Sequence, residues 1–251
     1  MADKPSVIRD TDDEARKLAR SLIHTVRHAA LAVIEPEGGF PSASRVLLAT
    51  DSDGTPTILV SALSAHTKAL EADARASLLT GEPGKGDPLA YPRLTMLCLA
   101  EGVERDTPAH RRIRQRFLNR HPKAKLYIDF PDFRFFRLVP QSASLNGGFG
   151  RAYLLAASDL LHDAAASESL AAEEAATIAA IEALAPDVAT ELAVKACGAK
   201  AGDWRISGLD SAGLDLVSAD EGVRLEYEKS LPTQQDIIYY ISKMVYSIRE
   251  I

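Results

Sequence analysis

Two runs of strand length, Ser42 to Thr50 and Thr55 to Leu63, flank the segment Asp51-Ser52-Asp53-Gly54, and this pattern constrains the fold more than any other in the chain. Both runs are apolar and rich in β-branched residues, and the segment between them carries turn chemistry, so an antiparallel hairpin is predicted. Arg45 then lies early in the first strand. Lys68 lies just past the second, in Ser64-Ala65-His66-Thr67-Lys68-Ala69-Leu70-Glu71, which can begin a helix near Ser64 or His66. A closed hairpin brings the start of its first strand and the end of its second to one place, so Arg45, Ser61, His66, Thr67 and Lys68 can converge. Two cations, hydroxyls and the free N–H groups of a helix start make an anion site.

The rest of the chain reads as α+β. Thr11 to Val26 has apolar residues at helical spacing, and His28 to Ile34 reads as a strand. Strands are predicted over Arg75 to Thr80, Arg93 to Glu101, Phe133 to Val139 and Ser142 to Phe149, with a helix from Thr107-Pro108 to about Arg120. The Gly/Pro-rich loop from Gly81 to Pro88 is long for a turn and suggests a flap or a subunit contact. An Ala/Ser/Asp-rich run over 156–172 reads as a join between domains 1–155 and 173–251. The second domain reads as two Ala-rich helices, three strands and a closing amphipathic helix from Thr233 to Ile248.

Several motifs in order carry a family resemblance. They are Arg45-Val46-Leu47-Leu48; Ala62 through Asp73; Asp87-Pro88 with Arg93-Leu94-Thr95; Gly147-Gly148-Phe149-Gly150-Arg151-Ala152; and Asp203-Trp204-Arg205 through Leu216. Together they resemble the pyridoxamine 5′-phosphate oxidase-like split barrels that bind FMN, and within them the haem-utilisation (HugZ-like) branch. The resemblance implies an antiparallel split β-barrel with a small C-terminal α+β domain, forming a homodimer with its cofactor at the subunit interface. It also implies a flavoprotein oxidoreductase acting on or binding haem or a related tetrapyrrole. Arg45, Val46 and Leu47 would contact the flavin by side chain and backbone, Ser61 its ring or ribityl chain, and His66, Thr67 and Lys68 its phosphate. Arg151 would meet flavin or a substrate carboxylate. No catalytic residue is assigned. The alternative is a noncatalytic dimeric ligand-binding or regulatory module. The branch's usual histidine-bearing helix is missing, since Ile181 to Val188 stands there and no histidine follows His162. The C-terminal Trp and Arg substrate signature of the oxidase proper is absent too, and a core role is expected for Trp204.

Composition narrows the partners. The net charge of −6 argues against nonspecific nucleic-acid binding, and no apolar run reaches bilayer-spanning length. The N-terminal residues lack a secretory signal pattern, and Cys98 and Cys197 have no paired spacing, which fits a reducing cytoplasm. The basic stretch from Arg105 to Lys125 reads as a solvated helix face with glutamate partners on another subunit, and secondarily as an attractor of an anionic ligand. His24 and His28 have the spacing of two imidazoles on one helical face, but they straddle a helix-to-strand junction, so no metal site is expected.

Overall fold

The computed structural model describes residues 8–148, 150–219 and 221–250. Phe149 of the glycine motif and the N-terminal Met-Ala-Asp-Lys-Pro-Ser lie outside the described residues. The first elements are β1 (Ile8–Arg9), α1 (Asp13–His24), β2 (His28–Ile34), β3 (Pro41–Thr50), β4 (Pro56–Ser61), α2 (Ala65–Ala72), β5 (Arg75–Thr80), β6 (Arg93–Gly102), α3 (Pro108–Arg120), β7 (Phe133–Asn146) and β8 (Ala152–Ala156). Then come α4 (Ala157–Leu160), α5 (Ala164–Glu182), α6 (Val188–Glu191), β9 (Arg205–Leu209), β10 (Gly213–Val217), β11 (Gly222–Glu226) and α7 (Gln234–Arg249).

Strands β2, β3, β4, β7, β6 and β5 pair antiparallel in that order, and β5 returns to β2, closing a six-stranded barrel. Alternation along the strands sends Leu31, Val46, Leu48, Leu78, Leu94, Met96 and Cys98 into one core. The barrel is split because its long strands change partner. β3 pairs with β2 over Pro41 to Leu47 and with β4 only over Leu48 to Thr50. β7 pairs with β4 at its start and with β8 at its end. Ala69 and Leu70 of α2 join the barrel core.

Three sequence expectations change. The strands expected over Phe133 to Val139 and Ser142 to Phe149 are one strand, β7. Pro140 lacks a donor but interrupts nothing, because the register slips between Leu97 and Cys98 and Pro140 lies opposite Cys98. Residues 164–172 of the expected join are the first half of α5. They are Ala-rich, and Asp163 caps them by accepting from the Ala166 N–H at 2.9 Å. Third, the basic face of α3 is not all solvated. Arg116 and Arg120 are buried, and Arg112 is half-buried.

Strands β9 to β11 form a separate antiparallel sheet, and its core takes Leu170, Ile181, Leu192, Ile237 and Ile241 from the surrounding helices. The seam between this unit and the barrel is polar. Arg116 Nε donates to the Thr50 carbonyl at 2.8 Å and Nη1 to the Leu209 carbonyl at 3.0 Å, and Arg116 pairs with Glu174 of α5. Glu174 also accepts from the Leu209 N–H at 2.9 Å. Gly208 makes room, since a Cβ there would stand 3.0 Å from the guanidinium. Arg112 grips Asp51 with two nitrogens at 2.6 and 2.9 Å, and Arg120 donates to the Val26 carbonyl at 2.6 Å. Cys98 and Cys197 are free, and burial pushes the Cys98 thiol up to about 12. No described helix is long and apolar enough to cross a membrane.

Candidate functional site

The hairpin and the helix after it form, and their junction is tightly bonded. Thr67 Oγ donates to the Ser61 carbonyl at 2.7 Å, and the Ser64 N–H donates to the same oxygen at 3.0 Å. Ser61 Oγ donates to Asp132 Oδ2 at 2.7 Å and accepts from the Leu63 N–H at 3.1 Å. These bonds turn α2 back onto the barrel, where it packs on β2 and His66 Nδ1 lies 3.2 Å from Ser44 Oγ, on the strand face opposite Arg45. Burial lowers the His66 pKa, so its ring is neutral at pH 7 and the positive charge of the corner belongs to Arg45 and Lys68.

Arg45 and Lys68 are exposed, and neither has a hydrogen-bond or ion-pair partner among the described residues. Ser64 stands at the N-cap of α2 without a side-chain cap, which leaves the helix start open to an acceptor from outside. Among the described residues, no strand pairs with the second edge of β3 over residues 41–47. The Arg45 and Lys68 side chains are therefore uncommitted. The other expected residues are not free in the same way. Thr67 is fully buried, and its hydroxyl and that of Ser61 are committed to the strand-to-helix junction. Val46 is a barrel-core side chain at 5% exposure, because it alternates inward between Arg45 and Leu47. Arg151 sits elsewhere, in the turn from β7 to β8, where Nη2 donates to the Gly147 carbonyl at 2.7 Å. It lines a cavity of about 260 Å³ beside α1 that includes none of the corner residues.

Leu47 shares the outward face of β3 with Arg45 and lines a cavity of about 840 Å³ between the barrel and the C-terminal unit. Tyr127 and Trp204 line it, Lys123, Lys200 and Arg205 contribute positive charge, and Asp203 and Glu221 contribute negative charge, Glu221 pairing with Lys200 at 3.2 Å. Trp204 is 5% exposed and belongs to the C-terminal core, as its expected core role requires, and its Nε1 donates to the Lys200 carbonyl at 2.9 Å. No local pattern in the chain signals this cavity, because its walls come from segments far apart in the sequence. Lys123, at the end of the basic stretch, was the one pointer.

The fold is an antiparallel split barrel in which Arg45 of β3 and Lys68 of α2 are exposed. The chain belongs to the CREG β-barrel family, whose model matches residues 10–162. It is similar to a protein of unknown function from Agrobacterium tumefaciens, 34% identical over 92% of this chain and 94% of that one, with a TM-score of 0.81. A heme binding protein from Mycobacterium smegmatis shares the fold along the full length of both chains, at 24% identity and a TM-score of 0.55. In sequence, the chain is 37% identical over 119 residues to the chloroplastic non-canonical heme oxygenase HOZ of Arabidopsis thaliana. That match covers 46% of this chain and 35% of the plant protein, so the chain spans about a third of that relative's length.

Proposed function

We propose that Arg45, Lys68 and the open start of α2 hold the phosphate of FMN, in a protein of the haem-utilisation branch of the pyridoxamine 5′-phosphate oxidase-like barrels. The observation that carries this reading is the pair of exposed, unpartnered cations at an uncapped helix N-terminus. Phosphate accepts from guanidinium, ammonium and backbone N–H together. Leu47 offers the outward apolar side chain nearest to Arg45 on the strand, about 7 Å along it. Bound flavin would supply the redox chemistry, as an acceptor or donor of hydride or single electrons. This chain's residues fix the phosphate, orient the ring and bound the cleft.

The same reading gives the large cavity to haem or a related tetrapyrrole. Such a ligand is planar and apolar with carboxylate arms, which suits Tyr127, Trp204 and Leu47 flanked by Lys123 and Lys200. The similarity to a plant heme oxygenase over 119 residues supports it. A homodimer is part of the proposal. Leu79, Leu97 and Leu99 are 40–53% exposed on the outer barrel face, and Leu97 and Leu99 line a cavity of about 730 Å³ over β2, β5 and β6. Sedimentation velocity at micromolar concentration should give twice the chain mass, and a monomer would remove the dimer from the account. The free cysteines support a reducing compartment such as the cytoplasm, a placement that recovery of the protein in a membrane or secreted fraction would refute.

The direct test compares FMN with riboflavin, which lacks the phosphate, by fluorescence quenching. FMN should bind saturably and riboflavin more weakly by about 100-fold or more, the value of two charge-assisted hydrogen bonds. Equal affinities would show that the corner does not read phosphate. For the cavity, Lys123→Glu with Lys200→Glu should weaken haem uptake, followed by its Soret band, and leave FMN affinity unchanged.

A further inference from the structure

At the seam between the barrel and the C-terminal unit, three buried polar atoms face one another and none of them makes a hydrogen bond. They are His24 Nε2, His162 Nε2 and Asp210 Oδ2. Asp210 Oδ2 lies 3.3 Å from His162 Nε2 and 4.0 Å from His24 Nε2, and all three atoms fall within 4.8 Å of one another. His24 is 1% exposed, Asp210 0%, and the His162 side chain 5%. A buried polar group left without a partner costs about 1–3 kcal/mol, so three orphans meeting at one point need a common partner.

Their surroundings prepare them as ligands. Asp210 closes the turn between β9 and β10, where Oδ1 accepts from the Ala212 and Gly213 N–H groups at 2.8 and 3.0 Å and from Arg224 Nη2 at 2.6 Å. One carboxylate oxygen is thus fixed by three donors and the other is left to point at the imidazoles. Asp215 Oδ2 lies 2.9 Å from His24 Nδ1. Arg224 Nη1 lies 3.1 Å from that nitrogen but already donates to Asp215 Oδ1 at 2.7 Å. The Nδ1 proton therefore goes to Asp215, and Nε2 keeps its lone pair. A carboxylate behind a ligating imidazole is the usual support of a metal-bound histidine. A cavity of about 290 Å³ reaches His162 from outside and is lined also by Ser211, Ala212 and Tyr227. It stops short of the other two residues, since neither His24 nor Asp210 lines it.

We propose that His24, His162 and Asp210 bind one divalent transition-metal ion, of which zinc is the simplest case. Two imidazoles and one carboxylate are a borderline donor set that suits such ions. Bonds of about 2.0–2.1 Å in a tetrahedron put ligand atoms about 3.3 Å apart, close to the gap between Asp210 and His162. The ion ties α1 to the turn between β9 and β10 through the segment after α4, so it joins the barrel to the C-terminal unit. The site is independent of the flavin corner.

The test uses the untagged full chain, stripped with chelator and titrated with Co²⁺ and then Zn²⁺. One equivalent of Co²⁺ should give visible d–d bands, one equivalent of Zn²⁺ should displace it, and zinc should raise the unfolding temperature. His162→Ala should lose the bands, and His28→Ala, at an exposed pair with Glu82, should keep them. Anomalous diffraction at the zinc edge from zinc-equilibrated crystals should place the ion among the three residues, whether or not a variant folds. No stoichiometric Co²⁺ binding, bands that survive in His162→Ala or vanish in His28→Ala, or zinc located elsewhere would overturn the proposal. A water bridging the three atoms would then be their partner.

Discussion

The arginines of α3 and the cations at the junction of β3 and α2 look alike in the sequence, yet the fold uses them in opposite ways. Arg116 and Arg120 are buried and bonded to carbonyls that belong to the barrel and the C-terminal sheet. Arg45 and Lys68 stand exposed with no partner among the described residues. A positive side chain that closes a seam has its donors occupied and is costly to remove. One that faces solvent at an open helix start can be removed with little effect on folding and remains available to a ligand. The contrast separates structural charge from recognition charge within one molecule.

The largest predicted effect belongs to the seam. Arg116→Ala leaves Glu174 buried without its cation and should destabilise the protein by about 3–5 kcal/mol in denaturant unfolding. Arg116→Met with Glu174→Leu should recover most of that loss, because both desolvated charges go together. If the single variant costs nothing measurable, the seam is not organised as described. A second effect is on pH dependence. His121 Nε2 is 2.8 Å from the Leu48 carbonyl, and burial, aided by nearby arginines, lowers its pKa to about 4. An unfolded histidine has a pKa of about 6.5, so between those values the unfolded chain takes up a proton that the folded one refuses. Stability should therefore fall as pH drops from about 6.5 to about 4, by up to about 3 kcal/mol, and His121→Gln should flatten that slope. An unchanged slope would mean that His121 is protonated in the folded state.

Smaller effects sharpen the recognition side. Thr67→Val removes a neutral hydrogen bond at the Ser61 carbonyl and should cost about 1 kcal/mol of stability, with little change in FMN affinity. A large loss of FMN affinity with folding intact would return Thr67 to the phosphate site.

Much of this was legible along the chain. Thr107-Pro108 marked the start of α3, and alternation marked β2 and β5 to the residue. The hairpin and helix that carry Arg45 and Lys68 were legible because they are close in sequence. What could not be read depends on distant partners. The spacing of Arg112, Arg116 and Arg120 puts them on one helical face, but only the carbonyls of Thr50 and Leu209 show that this face points inward. Local spacing pairs His24 with His28, whereas the fold carries His24 to His162 and Asp210, each more than a hundred residues away. Strand β8 escaped because it is short and follows directly on the glycine turn, which reads as a hinge.

The division between structural and recognition charge is tested most directly by measuring FMN affinity and unfolding free energy together for Arg45→Ala with Lys68→Ala. The double variant should lose about 100-fold or more in FMN affinity, from two charge-assisted bonds of about 1.5–3 kcal/mol each, and stay within about 0.5 kcal/mol of the parent in stability. Unchanged FMN binding, or a loss of affinity accompanied by a loss of stability, would contradict it.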